Sequence, residues 1–158
     1  MEIFSYELSN AWGFTISKLS LSETDGIGTV ICSYYGNDDN PVQGYRTGEE
    51  SFSSKVDVSS LERIKNIIRE NKEIFGFEKL ESPFVLDGYT NNFVFGLKDL
   101  GVKEIKGYNL WAYIDKNNKW GSERDPIMAM KVIEVFQGIS EILKDQGVPE
   151  KYLSLDIA

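Results

Sequence analysis

The sequence contains no histidine, and its 158 residues include one cysteine, Cys32. Without histidine the chain lacks the commonest general base near neutral pH and the commonest transition-metal ligand. Ser–His–Asp and Cys–His catalytic arrangements are excluded. Histidine-containing zinc sites are excluded too, and one cysteine cannot build a cysteine-only site or an internal disulfide. Lying within TVICSYY, Cys32 is expected to be a buried structural thiol rather than a nucleophile. No run approaches the roughly 18 apolar residues of a membrane-spanning helix. The segment MEIFSYELSNAWGF has no positive region followed by an apolar one. No secretory signal is therefore expected, and the expected location is the cytoplasm.

A basic excess is also missing. Seventeen Lys and Arg stand against 25 Asp and Glu, for a formal net charge of -8. Phosphate backbones require a basic footprint, so nucleic acid is not an expected partner. There is no G-x-x-x-x-G-K-[ST] loop, nor a G-x-G-x-x-G between strand and helix. DKNNKWGSERDP opens like a calcium loop, with Asp115 and Asn117 at its first and third positions. Its sixth residue is Trp120 rather than glycine, and its twelfth is Pro126 rather than a bidentate glutamate. No cofactor and no metal is expected.

What is present is the composition of a folded globule, 41% hydrophobic and 13% aromatic. The length favours a single domain spanning residues 1–158, and no linker divides it. Strand periodicity runs through Ile3–Leu8, Phe14–Leu21, Thr29–Tyr35 and Ser51–Asp57, with DGIGT at Asp25–Thr29 as a turn. From Leu61 the apolar residues Leu61, Ile64, Ile67, Ile68 and Phe75 fall at helical spacing. Two starts are open for this helix. One has Asp57 as cap with a Val56–Leu61 staple, the other Ser59 with Glu62 as a capping box. The helix is expected to reach about Ile74 and stop at Gly76. An Arg69–Glu73 pair on its solvated face would add about 0.3 kcal/mol.

Strands return with Phe93, Phe95 and Leu97 alternating, then at Lys103–Lys106 and Tyr108–Ile114. A second helix opens with Asp125 as cap and Pro126 at its first position. Its stripe is Val132, Ile133, Phe136, Ile139 and Leu143, and Gly147 followed by Pro149 stops it. Gly138 inside this helix costs roughly 1 kcal/mol against alanine, which predicts a close backbone approach, to the sheet. The fold class that follows is α+β: an antiparallel meandering sheet of about six to seven strands with two main helices packed on one face.

Asp87 stands in VLDGYT, an Asp-Gly dipeptide between β-prone residues. That is a hairpin signal, and the turn reading outweighs a catalytic one. Asp87, Glu104, Asp115 and Glu123 could in principle supply the two carboxylates of a glycosidase-like site, but no spacing pairs them.

LDGYTNNFVF, then VKEIKGYNLW, then a proline-started helix reaching LKDQGV resembles a pattern in small bacterial α+β proteins, among them immunity proteins of contact-dependent and other polymorphic toxin systems. The resemblance covers about Phe84–Val148. It departs from the pattern where a tryptophan would follow the Asp-Gly; Asn92 or Phe93 stands near that place. It implies a non-catalytic protein that neutralises a cognate toxin by direct binding. A basic nuclease toxin would suit the negative charge of the chain. The expected contacts are Asp38, Asp39, Glu49, Glu50, Glu123 and Asp125, with Tyr45 and Trp120 as aromatic anchors. The alternatives are a small carboxylate-based hydrolase and a structural or phage-associated interaction subunit. Self-association is left open, and no membrane partner is expected.

Overall fold

A computed structural model describes residues 1–11, 13–36, 50–77, 89–108, 110 and 127–155. Strands β1 (Glu2–Ser9), β2 (Thr15–Thr24), β3 (Ile27–Tyr34) and β4 (Glu50–Val56) come first. They are followed by helix α1 (Val58–Glu70) and a 3-10 turn, Lys72–Gly76. Strands β5 (Thr90–Leu97) and β6 (Gly101–Tyr108), helix α2 (Ile127–Asp145) and a 3-10 turn, Glu150–Tyr152, follow among the described residues. The described strands form one six-stranded sheet in the order β4-β3-β2-β1-β5-β6. Every neighbouring pair is antiparallel. The chain is thus an α+β fold.

Alternation decides which side of each strand is buried. Phe4 and Tyr6 of β1 lie opposite Leu21 and Leu19 of β2, and opposite Phe95 and Phe93 of β5. Val30, Cys32 and Ile105 extend the same apolar face across β3 and β6. Both helices cover this face. Phe136 of α2 sits among the sheet aromatics, with ring centroids 4.7 Å from Tyr6, 5.6 Å from Phe93 and 6.1 Å from Phe4. Such tilted and edge-on contacts add about 0.5–1.5 kcal/mol per pair to the area buried. Beneath them the Tyr6 hydroxyl donates to Asn91 Oδ1 at 2.5 Å, and Asn91 Nδ2 donates to the Gly107 carbonyl at 3.4 Å. This polar pair ties β1 to β5 and β6 inside an otherwise apolar layer.

Local signals explain the element ends. Asp25 and Gly26 both have positive φ, 52° and 80°, the requirement of a two-residue type I′ hairpin. The turn is shorter than the expected DGIGT, because Ile27, Gly28 and Thr29 already belong to β3. Asp57 caps α1: its carboxylate accepts from the Ser60 N–H at 2.7 Å, while Ser59 Oγ donates to the same oxygen at 3.1 Å. Of the two starts, the Asp57 cap is the one adopted, with Val56 and Leu61 buried on either side of it. At the far end of α2, Val148 N–H reaches the Leu143 carbonyl and Gly147 N–H the Lys144 carbonyl, with Gly147 at φ 93°. These are the bonds of a Schellman stop.

Other expectations are corrected. Helix α1 ends at Glu70 rather than near Ile74. Asn71 leaves helical geometry, its side-chain amide takes the Ile67 carbonyl, and the chain tightens into the 3-10 turn that Gly76 closes. Glu73 pairs not with Arg69 but with Lys131 of α2, at 3.3 Å, while Arg69 donates to Asn66. A bond from the 3-10 turn to α2 takes the place of a local pair worth only a few tenths of a kcal/mol. A side chain at Gly138 would meet Ile67 of α1, 3.4 Å away, so the close approach there is between helices and not to the sheet. Strand β6 runs unbroken through Gly107 to Tyr108. Of the expected strand at Tyr108–Ile114, residues 109 and 111–114 lie outside the described residues, and Leu110 is a buried turn residue.

Candidate interaction surface

With both helices on one face, the other face of the sheet carries the alternate residues of every strand. One row crosses all six strands: Ser53, Ile31, Ser20, Ser5, Val94 and Glu104. The next row holds Ser51, Ser33, Lys18, Glu7, Asn92 and Lys106. Over β2, β3 and β4 this face is rich in hydroxyls, with Ile31 standing among them 59% exposed. Lys18 and Glu7 face one another at 3.8 Å across β2 and β1, and Glu7 also accepts from Thr15 Oγ1 at 3.1 Å. Toward β6 the pattern changes to charge and bulk: Val102, Glu104, Lys106 and Tyr108 share the outer side of the edge strand, with Lys106 and Glu104 3.6 Å apart.

This surface offers hydroxyls, paired charges and backbone edges, which suit recognition of another chain. Among the described residues, no group of three or more Cys, Asp or Glu converges as a metal would require. The lone thiol is removed from chemistry. Cys32 is fully buried opposite Leu19 and Phe52, and burial pushes it up to about 12. Glu104 lies on an exposed edge beside Lys106, an ordinary surface ion pair. Comparison with known proteins gives no match, either to a family model or to a curated sequence. Among the described residues, no helix is long and apolar enough to cross a membrane.

Of the contacts expected from the sequence, Glu50 is the one the structure describes. It opens β4, and its carboxylate pairs with Lys151 of the last 3-10 turn. The Lys151 ammonium also lies 5.0 Å from the Tyr34 ring centroid and 5.4 Å from that of Tyr152. Glu50 thereby fastens the end of the chain to the β3–β4 edge, while its side chain stays 65% exposed. Asp38, Asp39, Tyr45, Glu49, Trp120, Glu123 and Asp125 lie outside the described residues, as do Asp87 and Asp115.

The charge of the chain is unevenly divided. The described residues hold 12 of the 17 basic and 15 of the 25 acidic side chains, a net of -3. The remaining five bases and ten acids make -5 in well under half the length. Segments 37–49 and 78–88 contribute most of that excess. The framework is nearly balanced, with its own charges engaged in pairs such as Lys65 with Glu23 and Glu62. Sequence reasoning placed candidate contacts only in loops and missed the sheet face that the described helices leave, on which Ile31 is exposed while Ser5 is buried. Its signal was present in the hydroxyl alternation of KLSLSET and ESFSSK.

Proposed function

We propose that this chain is a non-catalytic cytoplasmic binding protein, an immunity protein that neutralises a cognate bacterial toxin by direct contact. The observation that carries this reading is the concentration of acidic excess in segments 37–49 and 78–88, set against a nearly neutral framework. The first of these segments holds Asp38, Asp39, Tyr45 and Glu49. Charge grouped in this way steers encounter with a basic surface such as a nuclease cleft, and an aromatic in its midst supplies an anchor. The resemblance over about Phe84–Val148 supports the same reading.

The test is co-expression with the products of the adjacent genes, followed by size-exclusion chromatography. A stable complex with a basic, toxic neighbour supports the proposal. In that complex, replacing Asp38 and Asp39 together with lysine should slow association at least tenfold at low salt, and added salt should narrow the difference. Absence of a complex with every neighbour overturns it.

A further inference from the structure

We propose that Tyr34, Tyr152 and Glu50 form an ammonium-binding site, filled by Lys151 in the free chain and open to a lysine side chain of a basic partner. Tyr34 and Glu50 are directly opposed across β3 and β4. Opposed residues in an antiparallel pair share a face, here the face that also carries Cys32 and Phe52. Tyr152 reaches the same place from the last 3-10 turn. It is buried and packs on Phe52, with ring centroids 6.5 Å apart. Two rings and a carboxylate thus converge on one point, and a cation stands there. The Lys151 ammonium lies 5.0 Å from the Tyr34 ring centroid and 5.4 Å from that of Tyr152, and it pairs with the Glu50 carboxylate. A cation within about 6 Å of a ring centroid is attracted by the ring quadrupole, and the carboxylate adds a charged hydrogen-bond acceptor.

The occupant is exchangeable, whereas the walls are fixed. The Lys151 side chain is 37% and that of Glu50 65% exposed, so their attraction is that of a surface ion pair screened by water. The walls do not depend on the ammonium group. Tyr34 is a ladder residue of β3. Tyr152 is held in place together with buried Leu153 and Leu155. Backbone bonds close the turn itself, from the Tyr152 N–H to the Pro149 carbonyl and from the Leu153 N–H to the Glu150 carbonyl. The Lys151 side chain can therefore swing out while the turn stays docked. Glu150, its neighbour in the chain, is turned to Lys144 at 3.7 Å and does not compete for the site.

Two points identify the ligand. The net charge of -8 favours encounter with a basic partner. Glu50 accepts a hydrogen bond from the Lys151 ammonium, which a primary ammonium can give and a quaternary one, having no N–H, cannot. The class is thus a primary alkylammonium, as at the end of a lysine side chain.

The site is read from this chain alone, so it stands or fails independently of the toxin-binding proposal. The probe is n-butylammonium chloride, titrated at constant ionic strength into the wild type and K151A. The ring resonances of Tyr34 and Tyr152 are followed by NMR. K151A should bind the probe with a dissociation constant of about 10–100 mM. The wild type, whose own lysine competes, should bind about tenfold or more weakly. K151S, which keeps a polar side chain at this exposed position, should behave as K151A does. Adding E50Q to K151A should weaken binding severalfold, and tetramethylammonium should bind K151A more weakly than n-butylammonium. Unmoved rings in both K151A and K151S overturn the proposal. So do equal affinities for wild type and K151A, indifference to E50Q, or tighter binding of tetramethylammonium.

Discussion

Replacing Gly138 with alanine should stabilise the protein, and the same replacement at Gly96 should destabilise it. Gly138 sits in the middle of α2, where glycine costs about 1 kcal/mol against alanine through backbone entropy. The added methyl would lie 3.4 Å from Ile67 Cδ1 and 3.9 Å from Cγ2, ordinary contact with the mobile end of a side chain. Nothing offsets the propensity gain, so about 1 kcal/mol of stability is expected, or a Tm rise of about 2–4 °C for a chain of this size. At Gly96, by contrast, a methyl carbon would fall 2.2 Å from the Glu2 carbonyl oxygen. That oxygen belongs to the backbone beside a register shift in β1, between Glu2 and Phe4. Strand β1 or β5 would have to move by about an ångström, and overpacking of this kind costs about 1–3 kcal/mol. Urea denaturation monitored by tryptophan fluorescence, with Tm from calorimetry, reads both variants. A lower Tm for G138A would refute the helix–helix packing described around Ile67. An unchanged Tm for G96A would refute the close approach of β1 to β5.

Four other outcomes follow from the packing. Tyr6→Phe takes a donor from Asn91 Oδ1 in a buried site, and equilibrium unfolding should show a loss of about 1–3 kcal/mol. Ser140 Oγ is buried without a hydrogen-bond partner, so Ser140→Ala should be neutral or stabilising by up to about 1 kcal/mol in the same assay. Asp57 is held below its ordinary value, chiefly by the Ser60 backbone N–H and then by the Ser60 and Ser59 side chains. A folded-state value below the unfolded one means that its contribution is present above about pH 4 and lost as pH falls through the folded value. Asp57→Asn, which still caps, should match the wild type at pH 7 and show less of the acid-side decline in Tm. Cys32, pushed up to about 12 by burial, should resist alkylation at pH 8 in the native state and react on unfolding.

The helix starts and turns were legible because each is a local event. Asp57, two serines and a buried Val56–Leu61 pair suffice to open α1. Asp25-Gly26 suffices to turn β2 into β3, since few other dipeptides tolerate two positive φ angles in succession. The period-2 pattern also marked Phe93, Phe95 and Leu97 as one face. Candidate contacts were less legible. Loop carboxylates are found by charge alone, whereas the outer sheet face emerges only when serines on separate strands line up. Glu50 could be named from its charge, but its partner Lys151, 101 residues away, could not.

The amino-acid sequence by itself determined the strand and helix segments, the shared face of Phe93, Phe95 and Leu97 and the exclusion of histidine-dependent chemistry, because period, turn dihedrals and residue identity are properties of short stretches. Only the tertiary structure decided that β1 lies in the interior of the sheet between β2 and β5, that Glu73 turns to Lys131, and that Gly138 meets Ile67. Each of these depends on a contact between segments distant in sequence. The physical reason is that such contacts are settled by the joint packing of Phe136, Tyr6 and Phe93 under two helices, a cooperative outcome that no local window contains.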